Sequence, residues 1–360
     1  MDKMRVGVIG ATGMVGQNYV QLLQGHPWFQ VTHLAASPRS AGKAYAEAVA
    51  GRWVMDQEIP GEAAGLIVAD AGDVDGARKA CDLVFSAVSM DKQAVRELEE
   101  RYAAHDLPIV SNNSAHRWTK DVPMFIPEIN AGHADIIPFQ RKNRGWKKGL
   151  IAVKPNCSLQ SYLTPVYALI EAGYPVASMI ITTLQAVSGA GYPGPASIDM
   201  IDNIIPFIGG EEEKSEQEPL KILGTIQGGE FVNSAGPAIS AHCNRVPVTD
   251  GHTACVSLKF EEKSPAPDEI IEIWRAFRAE PQELGLPSAP DPAIIYREEQ
   301  DRPQPRRDRD AGRGMAVTVG RLRECPVFDI RFAALSHNTN RGAAGGAILS
   351  AELLKAKGYL

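Results

Sequence analysis

Long apolar runs are missing from this chain. No stretch approaches the roughly 20 apolar residues that a membrane-crossing helix needs, which excludes a helical membrane protein. Paired cysteines are missing too. The five cysteines, Cys81, Cys157, Cys243, Cys255 and Cys325, are odd in number and none forms a CxxC pair. That argues against a disulfide framework or a zinc site, so no metal is expected. It points instead to free thiols in a reducing, cytoplasmic compartment. Positive charge is not in surplus. Lys and Arg number 37 against 43 Asp and Glu, a net charge of -6. That balance speaks against nucleic acid or an anionic membrane surface as partner and leaves small molecules. Internal repeats are absent. The opening "MDKMRVGVIG" passes directly into a strand-like run, without the longer apolar region and cleavage site of a signal peptide. The chain is 360 residues long, 44% hydrophobic and 22% charged. These are the proportions of a soluble globular protein of two domains.

The first half begins with a short apolar strand, Met4 to Ile9, followed by glycines at 7, 10, 13 and 16 and a helical pattern through Val15, Tyr19, Leu22 and Leu23. Strand, glycine turn and helix form the context of a dinucleotide fingerprint. Gly10 and Gly13 would let the backbone approach a pyrophosphate. The N–H groups from Thr12 through Met14 to Val15 would bind it, and Gly16 would let the helix pack closely on the strand. After the next strand, "FQVTHLAAS", an NAD-binding unit would carry an acidic residue. Here Ser37, Arg39 and Ser40 stand in "SPRSAGKAY", a set suited to a 2'-phosphate, which favours NADP. "CDLVFSAVSMD", containing Ser86, and "LPIVSNNSAHRW" each read as a buried strand ending in a polar loop. The basic segment "QRKNRGWKKG" (140–149) lacks apolar periodicity and reads as a solvated loop at the domain boundary.

"VKPNCSLQSYL" raises the chemical question. Asn156 suits the N-cap of a helix beginning at Cys157, with apolar positions at Leu159, Leu163, Val166, Tyr167 and Ile170, a Pro165 expected to kink it, and Gly173 at its end. The helix dipole and free N–H groups at such an N-terminus stabilise a thiolate, the reactive form of cysteine. By position alone, a packed, inert thiol remains an equal reading. Of the eight histidines, His252 follows a Thr-Asp-Gly turn and opens an alternating strand, a junction from which a side chain can project into a cleft. His26, His33, His105, His116, His133 and His242 belong to no motif.

"GATGMVG", "PNCS", "TLQAVSGAG", "IGGEEEK", "NRVPVTDGH" and "SHNTNRGAAGG" occur in this order along the chain. Taken together, they make the chain resemble the aspartate-semialdehyde dehydrogenases of archaea and fungi over nearly its whole length. The resemblance implies an α/β fold. A Rossmann-type parallel-sheet domain over 1–155 would be completed by a C-terminal helix at 337–360. Residues 156–336 would form an α+β catalytic and dimerisation domain like that of glyceraldehyde-phosphate dehydrogenase. It implies Cys157 as nucleophile, His252 as general acid/base and Gln185 as the residue orienting the reacting groups. For the substrate it implies Arg245 on the α-carboxylate, Glu211 and Lys214 on ammonium and phosphate, and Arg117 and Asn156 as further phosphate ligands. Ser188, Gly189 and Asn338 would lie by the nicotinamide of NADP. The implied reaction is NADPH-dependent reduction of L-aspartyl-4-phosphate to L-aspartate-4-semialdehyde, in the biosynthesis of lysine, threonine and methionine, by a homodimer or homotetramer.

The residues agree with these implied roles. Arginine's fork suits a planar carboxylate, lysine suits phosphate, and a carboxylate suits ammonium. "GGEEEKSEQE" by itself also reads as a solvated helix face. The stretch "SLQSYLTP" is bulkier and more polar than the family pattern, and Lys154 stands close to the thiol. Both departures bear on the acyl donor. Reduction of a coenzyme A thioester, as in malonyl-CoA reductase, is the competing reading, and an NADP-sensing regulator is the non-enzymatic one. The Pro/Arg-rich run at 302–314 has a disordered composition, but its counterpart in the family is ordered, so order is expected.

Overall fold

A computed structural model describes residues 2–360. The first half builds a sheet of six strands: β1 (Met4–Ile9), β2 (Phe29–Ala36), β3 (Val68–Asp70), β4 (Leu83–Ser86), β5 (Ile109–Ser111) and β6 (Ile151–Val153). Their order is β3-β2-β1-β4-β5-β6, and every pairing is parallel. A parallel sheet is covered on both faces, so its strands read as continuous apolar runs. Val6, Val8 and Ile9 of β1 and Leu83 to Phe85 of β4 are accordingly shut off from solvent. Strand order reverses between β1 and β4, which opens a crevice beyond their carboxyl ends where ligands bind in such sheets.

The second half carries β7 (Val176–Gln185), a small hairpin of β8 (Thr225–Gln227) and β9 (Glu230–Val232), then β10 (Ala238–Arg245), β11 (His252–Phe260), β12 (Ile294–Arg297), β13 (Val317–Glu324) and β14 (Ile330–Ser336). The large sheet runs β10-β7-β11-β14-β13-β12 and is mixed. β7, β11, β14 and β13 pair antiparallel in succession, while β10 and β12 join the two edges in parallel. Alternation in β11 sends Ala254, Val256, Leu258 and Phe260 into the core, where the helices Leu159–Glu171 and Pro267–Ala276 cover them. Leu159–Glu171 continues without interruption through Pro165, whose carbonyl accepts from Trp274 Nε1 at 2.9 Å.

The basic run departs from its sequence reading, while the Pro/Arg-rich run is ordered as expected. The first half of the basic run at 140–149 lies in the helix Ile137–Arg144 rather than in a solvated loop. Buried Gln140 anchors it by donating to the carbonyls of Asp121 and Ile151 and accepting from the Ile151 amide. Arg144 pairs with Asp121 and Glu100. Polar anchoring of this kind leaves no apolar periodicity to read. In the Pro/Arg-rich run, buried Asp308 gathers Arg297, Arg302 and the amide of Gln304 around itself. The final helix, Gly345–Ala356, packs into the apolar cluster of the first sheet through Ala347, Ile348, Leu349 and Leu353. No helix among the described residues is long and apolar enough to cross a membrane.

Candidate active site

Cys157 lies in the turn between β6 and the helix Leu159–Glu171, which starts two residues later than the sequence suggests. Asn156 still caps this turn: its Oδ1 accepts from the amide of Ser158 at 2.9 Å and from the Ser158 hydroxyl at 2.7 Å. His252, fully buried as the first residue of β11, places Nε2 3.4 Å from Cys157 Sγ. Its other ring nitrogen, Nδ1, accepts from the backbone N–H of Ala186 at 3.1 Å. A backbone amide only donates, so the neutral ring carries its proton on Nε2 and presents N–H to the sulfur. Burial, with the charges of Arg245, His337 and Lys154, pulls His252 down to about 3. Burial and the Glu211 carboxylate push the Cys157 thiol up to about 11, against the pull of Lys154, Arg117 and Arg245.

Around this pair lies a charged floor. Arg245, at the end of β10, is buried and donates from Nη1 to the Ala186 carbonyl at 2.7 Å. Gly189 covers both Arg245 and His252: a Cβ there would stand 2.8 Å from Arg245 Nη1 and 3.0 Å from His252 Cε1. Glu211 opens the helix Glu211–Ile222. Its carboxylate accepts from Lys214 Nζ at 2.8 Å, from Asn156 Nδ2 at 2.8 and 2.9 Å, and from Gln185 Nε2 at 3.2 Å. The stretch "GGEEEKSEQE" is therefore half site and half surface, with Glu211, Ser215 and Glu218 inward.

Two of the expected phosphate ligands are otherwise engaged. Arg117 is buried, paired with Glu218 at 2.8 Å and bonded to the carbonyls of Lys154 and Asn112. Asn156 spends its amide on Glu211 and Ser158. Both brace the site from behind rather than offering free donors. Glu218, which also takes the Asn156 backbone N–H at 2.7 Å, was missed by the sequence reading, because its partner Arg117 lies on a distant element.

The crevice of the first sheet fits a dinucleotide. Gly10 has φ +82°, and a Cβ on it would lie 2.4 Å from the Ala87 carbonyl oxygen. A Cβ on Gly16 would lie 2.2 Å from the Gly10 oxygen, so the helix Met14–Leu22 sits directly on the glycine turn. Gly10, Thr12, Gly13, Ser37 and Arg39 line a cleft of about 590 Å³. Arg52 lines it as well and was not foreseen. Neither Arg39 nor Arg52 has a carboxylate partner among the described residues, which suits a 2'-phosphate. Ser40 is buried beneath them and accepts from Arg52 Nη2 at 3.1 Å, so it braces Arg52 instead of facing the cleft. Ser86 is a second correction. It is fully buried at the end of β4 and donates to Glu99 at 2.7 Å, while Ala87, Val88 and Ser89 line the cleft in its place. Val15 packs toward the apolar core, while Met14 and Ser188 border a smaller apolar pocket between the halves. Asn338 bridges the halves of the catalytic floor, donating to Ser188 Oγ at 2.8 Å and accepting from the amide of Gly251 at 2.7 Å. No group of three or more His, Cys, Asp or Glu among the described residues forms a metal site.

Comparison with known proteins agrees with this division of labour. Residues 5–137 match the family described as "Semialdehyde dehydrogenase, NAD binding domain", and residues 166–341 match "Semialdehyde dehydrogenase, dimerisation domain". The chain is 44% identical to the aspartate-semialdehyde dehydrogenase of Schizosaccharomyces pombe, over 99% of each chain. It is 45% identical to that of Archaeoglobus fulgidus, over 97% of each. A crystal structure of the Candida albicans aspartate-semialdehyde dehydrogenase with NADP superposes with a TM-score of 0.90 at 40% identity, covering both chains completely.

Proposed function

The chain belongs to the aspartate-semialdehyde dehydrogenase family, and from that premise we propose how its side chains carry out the reversible reduction of L-aspartyl-4-phosphate to L-aspartate-4-semialdehyde and phosphate. The observation that supports the assignment of roles is the 3.4 Å contact between Cys157 Sγ and His252 Nε2 on a floor of Arg245, Glu211 and Lys214.

Arg245 takes the α-carboxylate in the fork of its guanidinium, whose backbone anchor at Ala186 fixes its orientation. Glu211 faces the ammonium, and Lys214, on the next turn of the same helix, faces the phosphate. Gln185, Asn156 and the Arg117–Glu218 pair hold that floor in place. Cys157 attacks the acyl carbon: the S–H bond and the acyl C–O bond break, the S–C bond forms, and the phosphate leaves with the thiol's proton, while the proton that the overall reaction consumes restores the thiol when the aldehyde is released. His252 directs its Nε2–H at the sulfur and at the oxygen that gains charge in each tetrahedral intermediate. Gly10, Gly13, Thr12 and the N–H groups of Met14 and Val15 would hold the pyrophosphate of NADP, and Arg39 and Arg52 its 2'-phosphate. Ser188, Gly189 and Asn338 would border its nicotinamide. NADPH, when bound, supplies the hydride that reduces the thioester.

The protein acts in the cytoplasm as a homodimer or homotetramer. Exposed Ile198, Ile201, Ile204 and Phe207 support association through the second half of the chain. The test is a spectrophotometric assay in reverse, with aspartate semialdehyde, phosphate and NADP, beside malonyl-CoA with NADPH. Phosphate-dependent NADPH formation is expected. Reduction of the coenzyme A thioester without any phosphate dependence would overturn the acyl-phosphate reading. Cys157→Ala should abolish turnover while NADP still binds, and retention of more than about a thousandth of the wild-type rate would remove Cys157 from its role.

A further inference from the structure

Gln17 has no task in the mechanism above, yet it is sealed from solvent on the helix Met14–Leu22, which begins at the glycine turn. A buried amide is costly unless its donors and its acceptor are satisfied. Here they are, and every partner is backbone. Nε2 donates to the Thr12 carbonyl at 3.1 Å and to the Arg52 carbonyl at 2.9 Å, and Oε1 accepts from the Val54 amide at 2.9 Å. Thr12 belongs to the glycine turn, while Arg52 and Val54 lie 35 and 37 residues beyond Gln17 along the chain. One side chain therefore ties a distant loop to the turn that suits a pyrophosphate.

Arg52 is fixed through both its main chain and its side chain. Its amide donates to the Val49 carbonyl at 3.0 Å, and its own carbonyl is the one that Gln17 holds. Its Nε and Nη2 donate to the Ala48 carbonyl at 3.2 and 3.0 Å, and Nη2 also donates to Ser40 Oγ at 3.1 Å. Nη1 has no hydrogen-bond partner among the described residues, which leaves it for an anion in the cleft that Arg52 lines. Two further contacts hold the same loop. The hydroxyl of buried Tyr45 donates to the Ala11 carbonyl at 2.9 Å, and Gln21, one turn beyond Gln17, donates to Gln57 Oε1.

We propose that Gln17 is a positioning residue for cofactor choice: it seats Arg52 for the 2'-phosphate of NADP and so sets the preference for NADP over NAD. This rests on the reading of Arg52 as a 2'-phosphate ligand. A long side chain loses rotamer freedom when it grips an anion, and a guanidinium already held in place loses less. The bond from Gln17 to Thr12 bears on the pyrophosphate, which NAD and NADP share. Its bonds to Arg52 and Val54 bear on the one group in which the two cofactors differ. Gln17 is buried beneath the loop, so it acts through Arg52.

The experiment measures dissociation constants for NADP and NAD by titration of the full chain, in wild type, Gln17→Met, Arg52→Ala and the double variant, beside melting curves. Gln17→Met keeps the volume of the side chain and removes its three hydrogen bonds. It should weaken NADP by about tenfold and NAD by no more than about threefold, since it unseats one charge-assisted contact. In the Arg52→Ala background it should change the NADP-to-NAD ratio by less than about twofold, because residues that act through one another are not additive. Equal losses for both cofactors in Gln17→Met, or no loss, overturn the proposal. So does a full further fall of the ratio in the double variant. A merely structural glutamine would lower the melting temperature and both affinities together. Equal losses in Arg52→Ala would remove Arg52 from the 2'-phosphate and the proposal with it. A selective loss in Arg52→Ala beside an unselective one in Gln17→Met leaves Arg52 in its role and removes Gln17 alone. Should Gln17→Met not fold, Gln17→Asn, one methylene shorter and still polar, takes its place with the same selective loss expected.

Discussion

One missing methyl group shapes the floor of the active site. Gly189 needs no left-handed backbone; a side chain there is excluded because Arg245 Nη1 and His252 Cε1 lie where its Cβ would be. Gly189→Ala must push the guanidinium off its anchor on Ala186 or tilt the imidazole off Cys157. Displacements of about 1 Å at such groups cost up to about a hundredfold in rate. Gly189→Ala should therefore lower kcat/KM for aspartate semialdehyde by about ten- to a hundredfold, with thermal stability little changed. Steady-state kinetics beside a melting curve checks this, and undiminished activity would show that the floor yields without cost. The same crowding explains why the histidine is so hard to protonate: it is buried, and Arg245 lies beside it.

Among the elements, the glycine turn and its neighbours decide which cofactor is read. Gly10 and Gly16 bring helix and strand together, and Arg39 and Arg52 face the cleft from two successive loops. Arg39→Ala and Arg52→Ala should each weaken NADP by about tenfold or more, the worth of a charge-assisted contact, and NAD far less. Equal losses for both cofactors, measured by titration, would show that neither arginine reads the 2'-phosphate. Local pattern made much of this legible. The apolar run of β1, the glycine spacing and the alternation of β11 are short-range signals; the roles of Cys157 and His252 come instead from the ordered set of motifs, since by position alone a packed thiol and a structural histidine read equally well. Arg52 escaped because Ser40 had been assigned to the phosphate, whereas it supports Arg52 from below. The helix at 137–144 escaped because a buried glutamine amide anchors it. The resemblance implies Arg117 as a phosphate ligand, and its pairing with Glu218, 101 residues away, is invisible to local reasoning.

At the scale of the molecule, the C-terminal segment joins the two cores. Buried Arg341 pairs with Glu128 at 2.6 Å, donates to the Met315 carbonyl at 2.7 Å and reaches Thr164 at 3.0 Å, linking both halves. A structure that buries this much polar chemistry should be sensitive to acid. Burial holds His116 down at about 4 and His252 at about 3, and His133 and His337 are also lowered. These folded values lie below the unfolded one of about 6.5. Their contribution is therefore fully present above about pH 6.5 and lost as pH falls, because the unfolded chain takes up protons first. By about pH 5, His116 and His252 together remove about 4 kcal/mol, a large part of a typical stability of 5–15 kcal/mol. Glu99, raised by burial, opposes this over part of the range, but it is one group against five, since burial lowers His33 as well. Urea unfolding at about pH 7.5 and pH 5 should show the fall. His116→Gln should recover about 2 kcal/mol of it, since the His116 Nε2 is buried without a partner and the glutamine does not titrate. A drop that is the same in wild type and His116→Gln would show that the acid sensitivity lies in the carboxylates instead.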